Sequence, residues 1–526
     1  MPRTTLAAIL LALLAAAPLR AQEDPPPDRA GIEAAEGAAT DAAAAAEEPA
    51  AVADPAGRLP APVTTRHEIA IDDEILGFEA VAGAITLVSP TGREEADIGY
   101  VAYLAETDDP GSRPVTFAVN GGPGAASAYL HLGVLGPWRL PMDGATISPS
   151  QSIALEENAE TWLAFTDLVF VDPVGTGFSR LVEPDDRLRG RYLSVNGDIE
   201  AMADFVVRWL RQAGRLASPK YFIGESYGGF RGPRLAEALQ TEHGAALSGM
   251  TLLSPVLDFG WWQQPDHNPL PLASLLPSFA ASGMERAGDY DETLLAEAEA
   301  YAGGAFVVDH LRGLADPDAV ARMTERVAGL TGLDAATVAD HAGRLDMQSF
   351  ARELWRGEGR IGSVYDAGIT SLDPAPERPH GRAPDPVLEG MTAPLTTAML
   401  EHYRETLGWL PERRYMLLNR GVNRAWDWGG GRGQPESVGA LRRVLALDED
   451  LRVLVVHGTA DLVTPYFAST LILRQLPDFG GRVAEAAYRG GHMFYTREDS
   501  RRAFRDDARS LYGVAEDGAP DGAADD

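Results

Sequence analysis

Gly224-Glu225-Ser226-Tyr227-Gly228-Gly229 stands between an apolar run, Tyr221-Phe222-Ile223, and a stretch of helical composition, Arg234-Leu235-Ala236-Glu237-Ala238-Leu239. A serine flanked by glycines between a strand and a helix marks a sharp turn that lifts the hydroxyl above the edge of a sheet. Glycine is required on both sides because the two backbones pass too close for side chains. The same letters occur in ordinary Gly-Ser loops, so the reading depends on residues nearer the C-terminus. Candidate partners occur there in the order serine, acid, histidine.

A serine hydroxyl is a weak nucleophile and needs a histidine base, itself oriented by an acid. His492, in Gly490-Gly491-His492-Met493, comes after the strand-like Val483 to Tyr488. Asp461, in His457-Gly458-Thr459-Ala460-Asp461, comes after the apolar Val453 to Val456, so its carboxylate would emerge at the sheet edge. Asp461 also reads as a turn or helix cap ahead of Pro465. His457 reads as structural. A second glycine cluster, Asn120-Gly121-Gly122-Pro123-Gly124, comes directly after Val115 to Val119. At that place it can supply one backbone N–H for a developing oxyanion, with Tyr227 supplying the other.

Short β-rich runs at 115–119, 168–172, 221–223, 250–253, 451–456 and 483–488 alternate with helical patterns such as 198–210. That alternation predicts a mostly parallel sheet covered on both faces. Before it, the segments around His67 to Ile71, Gly77 to Val88 and Asp97 to Leu104 predict an antiparallel entry meander. Between 258 and 400 the strand rhythm gives way to Pro-punctuated helical sequence, with helices expected at 293–302 and 317–328. An insertion there would sit over the C-terminal edge of the sheet as a substrate-shaping lid, or fold as a separate helical domain.

The chain has 526 residues, 45% of them hydrophobic, which is enough for a large core with an insertion. Its formal net charge of -32 leaves no basic stripe for nucleic acid. Residues 1–21 have the layout of a secretory signal peptide, with Arg3, an apolar run from Leu6 to Ala17, and cleavage expected after Ala21. The apolar run is too short for a stable membrane span. Residues 22–62 read as an Ala/Pro/acidic linker and 513–526 as an acidic tail. Cysteine is absent, so neither disulfides nor a lipidated cysteine can form, and a bacterial periplasmic or secreted protein is expected. Scattered histidines without cysteine suggest no metal and no cofactor. The oligomeric state is not readable.

Asn120-Gly121-Gly122-Pro123-Gly124, Asp172-Pro173-Val174-Gly175-Thr176-Gly177-Phe178-Ser179 and Gly224-Glu225-Ser226-Tyr227-Gly228-Gly229 together resemble the serine carboxypeptidase family. The resemblance implies an α/β-hydrolase fold, with core segments 63–257 and 401–512 and the helical lid at 258–400. It implies release of C-terminal residues from peptide substrates through an acyl-enzyme. In those roles Ser226, Asp461 and His492 form the triad, and Gly122 and Tyr227 are the oxyanion donors. Asn120 and Glu225 would bind the substrate carboxylate, and a glutamate beside a carboxylate requires a shared proton, which favours acidic pH. Ala118, Arg180 and Thr459 depart from the family pattern. Arg180 reads either as a charge near that carboxylate or as a surface residue, and Trp426 and Trp428 either as a subsite wall or as packing. An esterase or acyltransferase of the same fold is the alternative, then a proline-releasing aminopeptidase or a catalytically inactive binding protein.

Overall fold

A computed structural model describes residues 57–71, 74–142, 144, 148–151, 153–183, 185–262, 267–378, 383–429 and 433–513. The expected signal peptide, nearly all of the linker and all but the first residue of the acidic tail lie outside them. Three antiparallel strands lead in: β1 (Val63–Ile71), β2 (Glu74–Val88) and β3 (Glu94–Ala105). Then come β4 (Val115–Val119), β5 (Asp167–Val171), β6 (Lys220–Glu225), β7 (Gly249–Leu253), β8 (Arg452–Gly458) and β9 (Val483–Tyr488). The sheet runs β1-β2-β3-β5-β4-β6-β7-β8-β9, parallel from β5 onward, with a short strand at Arg180–Leu181 paired to β3.

Every residue of β4, β5 and β7 is buried, because helices cover both faces and leave no solvent side to alternate toward. On one face lie α1 (Val195–Gln212) and α2 (Tyr227–Glu242), contributing Phe205, Val206, Leu235 and Leu239 to the core. The helix α1 starts where Ser194 Oγ accepts the Gly197 N–H at 3.2 Å. The opposite face is covered by residues around Leu130 and Leu132 and by the C-terminal helix Glu498–Leu511 through Phe504 and Ala508.

The 258–400 region holds α3 (Pro269–Ala287), α4 (Glu292–Ala302), α5 (Pro317–Thr331) and shorter helices. It also holds a two-stranded ribbon, Arg360–Gly362 with Thr370–Leu372, so its composition is not purely helical. These elements share their own apolar cluster, in which Phe279 and Phe350 stack at 4.1 Å. Helix α6 (Pro386–Glu401) differs: Val387, Met391, Leu395 and Met399 pack into the core cluster of the sheet. The 258–400 region is therefore joined to the sheet core through the apolar face of α6.

Beneath α6, the Tyr103 hydroxyl lies 2.6 Å from His131 Nε2 and 2.7 Å from His402 Nε2. One phenolic proton serves both rings, donated to one and met by an N–H from the other. Burial pushes both imidazoles below their ordinary pKa, His402 to about 3, and a neighbouring ring adds to it, His402 for His131 and His67 for His402. A base depressed on folding contributes stability that is complete above the unfolded pKa of 6.5 and is lost as pH falls toward 3. The melting temperature is therefore expected to decline steadily as pH drops below 6.5. Calorimetry across that window checks this, and a constant value would show that these rings take up protons in the folded chain as readily as in the unfolded one.

Candidate active site

Ser226 occupies the one-residue junction between β6 and α2, with φ 61 and ψ -120, a conformation that side-chain-bearing residues rarely adopt. Its N–H donates to Leu253 O at 2.9 Å, and its carbonyl accepts the Gly229 N–H at 2.9 Å. Serine is a favoured helix cap, yet the Ser226 side chain makes no capping hydrogen bond, so helix formation does not consume the hydroxyl. Gly228 permits the turn: a Cβ there would fall 2.3 Å from Val119 O.

Asp461 comes after β8 and is fully buried. Its Oδ1 accepts N–H bonds from Val463 at 2.8 Å and Thr464 at 3.0 Å, while Oδ2 accepts the Thr464 hydroxyl at 2.6 Å. The same Oδ2 is 2.8 Å from His492 Nδ1. Asp461 is thus a turn cap and an imidazole partner at once. Burial opposes charge on His492, but the attraction and hydrogen bond of Asp461, with Glu225 behind them, raise its pKa above the ordinary value. With Nδ1 engaged, Nε2 is the nitrogen left for proton transfer. The end of β7 ties the histidine loop to the serine turn. Beyond the Ser226–Leu253 bond, the Ser254 hydroxyl donates to His492 O at 2.9 Å.

Asn120 Nδ2 donates to Glu225 Oε2 at 2.6 Å, and the Tyr495 hydroxyl donates to the same oxygen at 3.1 Å. Asn120 Oδ1 accepts the Leu130 N–H at 3.0 Å, which sets the orientation of its amide. Burial pushes Glu225 up to about 7, against the pull of His492, Tyr495 and Asn120. Both donors load Oε2, which leaves Oε1 to carry the proton when the acid is neutral. Tyr227 contributes the first amide of α2, which has no carbonyl within the helix to bond and sits at the positive end of the helix dipole. Gly122, in the turn after β4, has φ 104.

The structure thus pairs Asp461 with His492 and Asn120 with Glu225, and puts Ser226 and Tyr227 at one strand end. It adds residues the sequence reading missed. Tyr495, three positions after His492, stood in view without a motif to mark it. Arg231 had no signal: it is fully buried, 2.6 Å from Asp198, and its guanidinium lies 4.7 Å over the Tyr227 ring. Arg180 donates to the loop carbonyls of Gly177, Ser179 and Arg414. Trp426 and Trp428 pack edge-on against Tyr227 at 5.4 and 5.7 Å, and Phe259 extends the aromatic layer. Beside it, a cavity of about 300 Å³ is lined by Trp261, Trp262, Leu275, Met347 and Leu462, among others. Among the described residues, no group of three or more His, Asp or Glu could hold a metal.

Residues 76–260 match the serine carboxypeptidase family. Two similar proteins from Arabidopsis thaliana are serine carboxypeptidase-like 26, 28% identical over 191 residues, and serine carboxypeptidase-like 42, 31% identical over 170 residues. These alignments take in 35% and 31% of this chain, and only 39% and 32% of the relatives' own lengths. Among solved structures, Kex1(delta)p, a prohormone-processing carboxypeptidase from Saccharomyces cerevisiae, superposes with a TM-score of 0.52. It is 15% identical, over 83% of this chain and 91% of that one, a likeness of fold. The fold is that of the α/β-hydrolases. The family match covers the turn after β4, the Asp172 to Ser179 loop and the serine turn, and ends at the start of the 258–400 insertion, before Asp461 and His492.

Proposed function

We propose that this protein is a serine-type carboxypeptidase. The observation that carries the reading is the buried Glu225 held by Asn120 and Tyr495 one residue before Ser226. Burial lifts this carboxyl to about 7, so below that pH it is a neutral donor suited to a peptide's terminal carboxylate, which an ionised glutamate would repel.

His492 Nε2 takes the Ser226 proton as the oxygen attacks the last peptide carbonyl, and the N–H groups of Gly122 and Tyr227 stabilise the oxyanion. The imidazolium, steadied by Asp461, then protonates the departing amine and the C-terminal residue leaves. Water, deprotonated by the same imidazole, hydrolyses the acyl-enzyme and restores the serine proton. The mechanism requires no metal or cofactor. The sequence pattern of residues 1–21 supports export, and an exported bacterial enzyme acting on peptides is the setting we infer.

An identical triad attacks esters, so the esterase reading is tested directly. An N-blocked dipeptide should be cleaved and its C-terminal amide should not; hydrolysis of a simple ester with neither peptide cleaved would favour the esterase. The pH dependence gives a second check. Above about pH 7 Glu225 ionises, so KM for peptides is expected to rise there. Glu225→Gln still donates but cannot ionise, so its KM should stay flat through that range. A KM profile identical in wild type and variant would remove Glu225 from carboxylate binding.

A further inference from the structure

A short stretch of the 258–400 insertion, Ser363-Val364-Tyr365-Asp366, bonds to both catalytic loops. Val364 O accepts the N–H of Leu462, the residue after Asp461, at 3.1 Å, and Tyr365 O accepts the N–H of His492 at 2.6 Å. Asp366 Oδ2 accepts the N–H of Gly491 at 2.9 Å. The fit is close: a Cβ on Gly491 would fall 1.9 Å from Tyr365 O and 2.5 Å from Asp366 Cα, so a glycine beside the histidine is a condition of this contact. The Tyr365 ring also meets the His492 imidazole edge-on at 5.3 Å.

The stretch is held at both ends. The Ser363 hydroxyl and the Val364 N–H donate to Asp385, the cap of α6, at 2.7 and 3.0 Å. At the other end Arg497 Nη2 lies 3.0 and 3.3 Å from the two oxygens of Asp366. The same guanidinium grips Glu285, near the C-terminal end of lid helix α3, at 2.7 and 3.0 Å. Arg489 approaches Glu285 from outside at 3.4 Å. The groups that face Asp366 are thus Arg497, which favours its charge, and Glu285, which opposes it. The side chains of Asp366 and Glu285 are 6% and 7% exposed, so this is a built arrangement and not a surface ion pair.

The geometry points to Asp366 as a positioning residue. Through the Gly491 N–H and its bond to Arg497, it sets the loop that presents His492 to Ser226, and so makes the triad's alignment depend on the lid. This rests on the proposed serine chemistry. The lid is then part of the catalytic framework and not a detachable cover.

The test uses the full chain, labelled with a fluorophosphonate serine probe and assayed on an N-blocked dipeptide. Asp366→Ala is expected to lower both the labelling rate and kcat by about 10- to 100-fold, the scale of a small misplacement, with KM little changed. The acidic limb of the labelling rate should move to lower pH, as the loosened imidazole loses part of its bond to Asp461. Asp366→Asn keeps an oxygen for the Gly491 N–H and leaves Arg497 paired with Glu285, so it should recover most of the rate. The far-downfield proton resonance of the His492 Nδ1–H should broaden or vanish in Asp366→Ala and persist in Asp366→Asn. Where the alanine variant does not fold, Asp366→Ser, too short to reach Gly491, takes its place in each measurement. A truncated variant with wild-type labelling, pH limb and resonance overturns the proposal, as does an asparagine variant no better than alanine. A wild type that the probe does not label removes the serine chemistry itself, and this role with it.

Discussion

Ser226→Ala is expected to lower peptide hydrolysis by roughly 10⁴- to 10⁶-fold and to abolish labelling by serine-directed probes, the scale seen when a nucleophile is deleted from a triad. The fold should be untouched, since the Ser226 hydroxyl caps no helix and only its backbone is tied to Leu253 and Gly229. His492→Ala should cost about as much, and the double variant little more, because base and nucleophile act as a unit. Kinetic comparison of the three settles this. Losses that add on a logarithmic scale would show that His492 and Ser226 work independently, and the triad assignment would fall.

Arg231→Ala is expected to have the largest effect on stability. Its guanidinium is 2.6 Å from Asp198, donates to Asn120 O and covers the Tyr227 ring, and both partners of the ion pair are buried. Removing the cation strands a carboxylate whose pKa burial already raises against the pull of Arg231. Such a loss costs about 3–5 kcal/mol. An acid with a raised folded pKa destabilises as pH climbs, so the penalty should shrink toward acidic pH, where Asp198 binds a proton. Denaturant unfolding of Arg231→Ala, Asp198→Ala and the pair Arg231→Met with Asp198→Ala tests the origin of the cost. The double variant should regain much of the stability, since no orphaned charge remains. It should not regain full activity, because the Asn120 carbonyl and the Tyr227 ring lose their shared support. A double variant as unstable as Arg231→Ala would mean that the ion pair is not what the arginine contributes.

The central strands were readable to within a few residues. Val115–Val119 and Val483–Tyr488 match their expected bounds: the first is an apolar run buried throughout, and the second is an edge strand set off by nearby glycines, with Tyr488 alone buried. The 258–400 insertion was less legible. Helix α3 contains Pro277 and α6 contains Pro394, residues that read as breaks along the chain but that these helices carry inside them. The ribbon at Arg360–Gly362 and Thr370–Leu372 is three residues a side, too short for any periodicity to show.

At the candidate site the division tracks sequence separation. Ser226, its glycines and the order of acid and base are local facts: a strained turn needs particular residues at particular spacings, so composition alone reveals it. The pairing of Asp461 with His492, the convergence of Tyr495 and Asn120 on Glu225, and the Asp366–Arg497 contact behind His492 join residues 31 to 270 positions apart. No spacing along the chain encodes such pairs. They are selected when helices and sheet pack and each buried charge must find a partner or pay the full cost of leaving water.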